Sequence, residues 1–169
     1  TIHRALEQGV TVLDTGDYYG MGHNELLIRE AIRGKREQVR LSVKFGALRD
    51  HTGNYTGVDT RPAAIRNFLA YSLVRLGVDE IDFYYPGRVD PAVPIEETMG
   101  ALEQLVKEGK VRWVGLSEAG AQTLERAHAA YPLSALQLEY SLFTREIEDE
   151  VLPAARRLGI GIQAYGAFS

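Results

Sequence analysis

Four polar groups in this sequence sit where apolar segments stop, and a fifth lies in the loop behind the first of them. Asp14 closes the apolar run 10–15, Lys44 closes 39–45, and Ser117 with Glu118 closes 111–116. Tyr19 follows Asp14 by five residues. A lysine at the edge of an apolar interior is costly unless an opposite charge pairs with it, so Asp14 and Lys44 alone describe a structural ion pair. Tyr19 adds a movable proton. A free phenol ionises at about pH 10, too high for efficient proton transfer near neutrality, and an ammonium beside a phenol favours the phenolate. Carboxylate, ammonium and phenol together make a workable general acid.

For these groups to meet, their strands must end at one rim. Six short segments rich in Val, Ile, Leu and aromatics recur at intervals of about thirty residues: 10–15, 39–45, 81–85, 111–116, 135–138 and 160–165. Their near-continuous hydrophobicity fits strands covered on both faces. Helical spacings lie between them. Ile65, Phe68, Leu69, Leu73 and Leu76 share a face that stops at Gly77, with Asp59 or Thr60 as its cap. Ile95, Met99, Leu102, Leu105 and Val106 follow Pro94 and stop at Gly109. Ile147, Val151, Leu152, Ala155 and Leu158 precede Gly159, and Pro153 among them predicts a kink or a late start. Weaker helices are predicted over 24–33 and 119–130, the latter with Ser117 as cap, and the chain opens in a helix that ends at Gly9.

Strict alternation of strand and helix means a parallel sheet with right-handed crossovers, as an open doubly wound sheet or a closed barrel. An open nucleotide-binding sheet carries a Gly-rich turn after its first strand, whereas the turn here reads Asp14-Thr15-Gly16-Asp17-Tyr18-Tyr19-Gly20. The barrel is favoured, with its polar residues at the strand ends.

Composition narrows the partner. Nineteen Lys and Arg against 23 Asp and Glu leave a charge of −4 with no long run of either sign, so no nucleic-acid footprint is expected and a small molecule is the favoured partner. No apolar run reaches the roughly 18 residues of a membrane span. The absence of cysteine excludes thiolate metal sites and a cysteine nucleophile, and fits a reducing, cytoplasmic setting. Strand ends with only Asp14 as a hard ligand do not predict a metal site.

The segment Leu13 to Gly20, followed by Gly22-His23-Asn24-Glu25, resembles the signature of the aldo-keto reductase family, in which an Asp and a Tyr five positions on belong to a catalytic tetrad. Lys44 in Ser42-Val43-Lys44-Phe45-Gly46 is similar to the tetrad lysine. Ser117 and Glu118 after Gly115-Leu116, Gln137 in Leu136-Gln137-Leu138, and Tyr165 in Gln163-Ala164-Tyr165 resemble the family's nicotinamide-holding positions. The resemblance implies a (β/α)8 TIM barrel, here incomplete, with strands 2 to 7 and their helices in one partial domain over residues 1–169. It also implies NADP(H), and hydride transfer to an aldehyde or ketone with Tyr19 as general acid, tuned by Lys44 and Asp14. Ser117 and Gln137 would then hold the carboxamide and Tyr165 would stack on the ring.

The sequence departs from that pattern at Gly87, which stands where the tetrad histidine falls, in Tyr85-Pro86-Gly87-Arg88. A glycine there is expected to open space, Arg88 beside it offers a cation to an acidic substrate or pairs with Asp90, and His51 is the one histidine placed to swing in. Barrels of this type usually need about 250 residues, and the chain opens without Met, so a longer gene product is expected. Three readings remain: a reductase of aldehydes or ketones, a nicotinamide-binding redox sensor or auxiliary subunit, and a fragment with neither cofactor nor activity that is held together by association.

Overall fold

The structure is a computed structural model that describes residues 1–168. In chain order the elements are α1 (Ile2–Glu7), β1 (Val12–Gly16), α2 (His23–Ala31), β2 (Arg40–Phe45), β3 (Ala47–Arg49), β4 (Tyr55–Val58), α3 (Pro62–Leu76), β5 (Ile81–Pro86), α4 (Ile95–Lys107), β6 (Val111–Ser117), α5 (Ala121–Ala130), β7 (Ala135–Glu139), α6 (Val151–Leu158) and β8 (Gly161–Tyr165). Six of these strands form one parallel sheet, in the order β1-β2-β5-β6-β7-β8. The order follows the sequence, as a (β/α)8 barrel requires. The sheet is curled: Gln163 on β8 donates to Asp14 on β1 over 3.1 Å, although those strands lie at opposite edges. The fold is thus an incomplete TIM barrel.

The strand pleat separates two environments. On β2, Leu41, Val43 and Phe45 are fully buried, and Phe45 packs on Tyr84 and on Phe68 of α3. Ser42 and Lys44, on the other face of the same strand, are equally inaccessible but point to the barrel axis, where Asp14 receives both. Polar groups on an inner face are tolerated because they bond one another.

Several local expectations need correction. Neither Asp59 nor Thr60 caps α3. Its N-cap is Arg61, held by its backbone amide and guanidinium on the Asp59 carboxylate, while Thr60 turns inward to Thr98. Ser117 stays in β6, and α5 begins after Gly120. Pro153 is the third residue of α6, in the first turn, where its missing N–H costs nothing, so the helix starts late and is not kinked. The stretch after β2, for which the sequence predicts no element, folds into the antiparallel hairpin β3–β4. Its turn is organised by the Asp50 carboxylate, which accepts from the Thr52 and Asn54 amides.

Two constraints hold the rim in place. At Gly115, on β6 two residues before Ser117, an added Cβ would lie 2.4 Å from the Ala135 carbonyl oxygen of β7. Only glycine allows the two strands to approach so closely there. The loop carrying Tyr18 and Tyr19 is pinned by Asp17, whose amide donates to the Lys44 carbonyl and whose side chain is buried beside Glu25 of α2, itself paired with Arg75 of α3. Burial first, and then the Glu25 charge, push the Asp17 carboxyl from an ordinary 3.8 up to about 7, against the pull of Arg75.

We expect Gly115→Ala to cost about 1 to 3 kcal/mol in urea unfolding, because backbone must move to admit the methyl; an unchanged midpoint would contradict the close approach. Asp17 yields a pH dependence. Its folded carboxyl holds a proton that the unfolded one has released, so its contribution to stability is present at low pH and is lost as pH rises through 3.8 towards about 7. Asp17→Asn should therefore gain on wild type in melting temperature from pH 5 to pH 8, and a constant difference across that range would refute the assignment.

Candidate active site

At the C-terminal rim of the sheet is a cleft of about 720 Å³, a size that suits a small ligand. At its centre lies Lys44, 3% exposed, with Nζ 2.5 Å from Asp14 Oδ2. The other carboxylate oxygen, Oδ1, receives Ser42 Oγ at 2.9 Å, Gln137 Nε2 at 2.9 Å, Gln163 Nε2 at 3.1 Å and the Tyr85 hydroxyl at 3.2 Å. Asp14 thus joins β1, β2, β5, β7 and β8. Burial, and then the Asp14 charge, push the Tyr85 phenol above its ordinary range and keep it a neutral donor.

Tyr19 stands over this pair, its ring centroid 5.1 Å from Lys44 Nζ. Tyr19 is 40% exposed and lines the cleft, where a ligand can reach it. A phenol beside a paired ammonium, open to solvent on one side, can deliver a proton to a bound oxygen. Ser117, Gln137 and Tyr165 line the same cleft from β6, β7 and β8, Ser117 and Gln137 being direct register partners. A hydroxyl, an amide and a half-exposed aromatic face at adjacent strand ends form a donor set that suits a flat ring bearing a carboxamide. The residues present therefore fit a nicotinamide. Gln137 spends its amide nitrogen on Asp14 and Tyr85, which leaves its carbonyl oxygen the better placed group for such a ligand.

The structure brings Asp14, Tyr19, Lys44, Gly87, Arg88, Ser117, Gln137 and Tyr165 to one cleft. Glu118 does not line it. Its backbone has φ +55, and its carboxylate accepts from the Glu139 amide at 3.1 Å and faces Tyr165, whose phenol is pushed above its ordinary range by burial first and then by Glu118. Arg88 is exposed and donates to the Gly87 carbonyl at 2.8 Å, while Asp90 accepts from the Thr60 and Ala92 amides instead of pairing with Arg88. His51 is exposed in the hairpin turn, away from the cleft. Gly87 does not open space: a Cβ built on it would meet the Tyr18 hydroxyl at 2.7 Å.

Reading the sequence missed Ser42, Tyr85 and Gln163 on the floor of the site, and Tyr18 on its wall. A signal was available for the first three. Ser42 and Gln163 each lie two residues before a rim residue on their own strand (Lys44 and Tyr165), Tyr85 lies two before Gly87 just past the end of β5, and residues two apart along a strand face the same way. The hairpin residues Arg49 and Tyr55, which also line the cleft, carried no such signal.

Comparison with known proteins agrees with this geometry. The Aldo/keto reductase family profile matches residues 1–169. The Glycine max protein named "Probable aldo-keto reductase 1" is 46% identical over 165 residues, which is 97% of this chain and 47% of that protein. A glycerol dehydrogenase from Gluconobacter oxydans is 34% identical with a TM-score of 0.91, over 98% of this chain and 52% of that one. An aldo/keto reductase from Klebsiella pneumoniae, solved with NADP and acetate, is 31% identical with a TM-score of 0.83, over 95% of this chain and 54% of that one. The chain spans about half the length of these relatives. With a family match along its whole length and six consecutive strands of the parallel barrel, this chain belongs to the aldo/keto reductase family.

Proposed function

We propose that residues 1–169 form one unit of an NADP(H)-dependent oxidoreductase that reduces small aldehydes or ketones to alcohols, with Asp14, Tyr19 and Lys44 in proton delivery. The observation that carries this reading is the Asp14–Lys44 pair under the Tyr19 ring, in the same cleft as Ser117, Gln137 and Tyr165. NADPH, when bound, supplies the hydride for the carbonyl carbon. Ser117 and Gln137 would hold its carboxamide, and Tyr165 would lie against its ring. As the carbonyl π pair moves onto oxygen, Tyr19 gives that oxygen its proton and becomes a phenolate, which the Lys44 ammonium favours. Asp14 keeps the ammonium in place, and a proton from solvent restores the phenol. The Klebsiella pneumoniae relative solved with NADP supports the choice of cofactor. Among the described residues no helix is long and apolar enough to cross a membrane, and we propose a cytoplasmic enzyme with no nucleic-acid partner.

Gly87 favours a second reading, because a side chain is absent there: a nicotinamide-binding redox sensor or auxiliary subunit with little turnover. The two are separated by assaying the full protein that carries this sequence with NADPH and a panel of aldehydes and ketones, while nicotinamide binding is followed by fluorescence. Binding without turnover would favour the sensor. In an active protein we expect Tyr19→Phe to lower turnover by about 10²- to 10⁴-fold with NADPH affinity little changed, since it removes only the proton. Lys44→Met should lose turnover comparably. Unchanged turnover in Tyr19→Phe would mean that another group is the acid.

A further inference from the structure

The wall of the cleft beside Tyr19 is built in an unusual way. Tyr18 folds back so that its ring lies over two glycines. A Cβ on Gly16 would meet the far edge of that ring at 3.1 to 3.4 Å, and a Cβ on Gly87 would meet its hydroxyl at 2.7 Å. Gly87 is fixed where it stands, because its amide donates to the Phe45 carbonyl at the end of β2 over 2.8 Å. The two missing side chains form a slot the width of a phenol. Arg49 of the hairpin closes the slot, its guanidinium carbon 5.5 Å from the Tyr18 centroid, and Tyr19 meets Tyr18 edge to face at 4.9 Å. The Tyr18 ring is therefore gripped, and it lines the cleft beside Tyr19.

We propose that Tyr18, seated over Gly16 and Gly87, is a second catalytic phenol, which donates a hydrogen bond to the same carbonyl oxygen that Tyr19 protonates. This rests on the reductase reading above and assigns the group that orients the substrate. The chemistry follows from position. As hydride reaches the carbon, negative charge gathers on the oxygen, and a fixed donor already aimed there stabilises the transition state more than the ground state. Tyr18 gives up no proton in the step, so the balance stays as before: one hydride to carbon, one proton from Tyr19 to oxygen. Burial foremost, and then Tyr19, push the Tyr18 phenol above its ordinary range, which keeps it a neutral donor at working pH. Gly87 is in this account the residue that makes room for Tyr18. A bulkier residue at position 87 would displace the phenol.

The test is a cycle of Tyr18→Phe and Gly87→Ala in the full protein, read by kcat and KM for an aldehyde, by NADPH binding and by melting temperature. Tyr18→Phe removes one oxygen atom and leaves the ring in its slot. We expect kcat/KM to fall about 10- to 100-fold, mainly through kcat, the size expected for loss of one hydrogen bond to a charged oxygen, with NADPH affinity and melting temperature unchanged. Gly87→Ala should also lower kcat/KM in the Tyr18 protein by pushing the hydroxyl aside, and should add much less to the loss in the Tyr18→Phe protein. An active wild type with Tyr18→Phe at full kcat/KM would overturn the proposal and leave the reductase reading intact, and so would equal losses from Gly87→Ala in both backgrounds. If Tyr18→Phe fails to fold, undiminished turnover in Gly87→Ala overturns the proposal by itself. A wild type that binds NADPH but reduces no carbonyl would overturn both.

Discussion

A lysine ammonium that is 3% exposed must be neutralised where it sits, and Asp14 is the group that does so. Removing one partner of such a pair leaves an unpaired buried charge, a loss of several kcal/mol, so the pair constrains everything around it. The carboxylate has to be held at the rim of β1 with one oxygen towards Lys44. Its second oxygen is then free to collect hydroxyls and amides from β2, β5, β7 and β8. The contact between Gln163 and Asp14 joins the first and last strands of the sheet, so the same carboxylate that settles the lysine also registers the curl of the barrel. Geometry and electrostatics are one problem here, with one solution.

Around that centre the rim divides its labour by strand. β1 and β2 present the charges, and the loop after β1 presents the phenols. β6, β7 and β8 present Ser117, Gln137 and Tyr165. Each strand places its residue at a height fixed by the parallel register, Gly16 opposite Lys44 and Ser117 opposite Gln137. The close approach of β6 and β7 at Gly115 sets the spacing of the last group, because a wider gap would carry Ser117 away from Gln137. Asp17, buried between Glu25 and Arg75, ties the loop of phenols to the helices behind it, so the outer layer and the inner site share a titratable joint.

The long hairpin after β2 matters because it gives the cleft a side that the barrel lacks. Arg49 lies over both Tyr18 and Tyr55 at 5.5 and 5.7 Å, so a cation and two aromatic rings form the outer wall. Arg49 thus covers one side of the Tyr18 ring. Glycine at 87 contributes by omission: with no side chain there, the phenol of Tyr18 can lie where a side chain would otherwise project.

Much of this was legible in the sequence. Six apolar segments separated by helical spacings specify a parallel α/β sheet, because each strand, covered on both faces, must be apolar throughout and each helix needs one apolar face, and the lack of a Gly-rich turn after the first strand favours its closure into a barrel. Polar residues at strand ends in that pattern have nowhere to go but the rim, which is why Asp14, Lys44 and Ser117 could be picked out, with Tyr19 added by its offset from Asp14, whereas Gln137 and Tyr165 were reached only through the resemblance to a known family. What the sequence left open depends on contacts between residues far apart in the chain. Gln163 and Asp14 are separated by 149 positions, Gln137 and Asp14 by 123, and Tyr85 and Asp14 by 71. Local periodicity says which way a side chain points but not what it meets. Only the folded sheet shows that five strands converge on one carboxylate and that Glu118 turns away to Tyr165. Only there does the empty position at Gly87 become a seat for Tyr18, because a glycine declares in sequence that a side chain is missing, and only its neighbours in space decide what fills the gap.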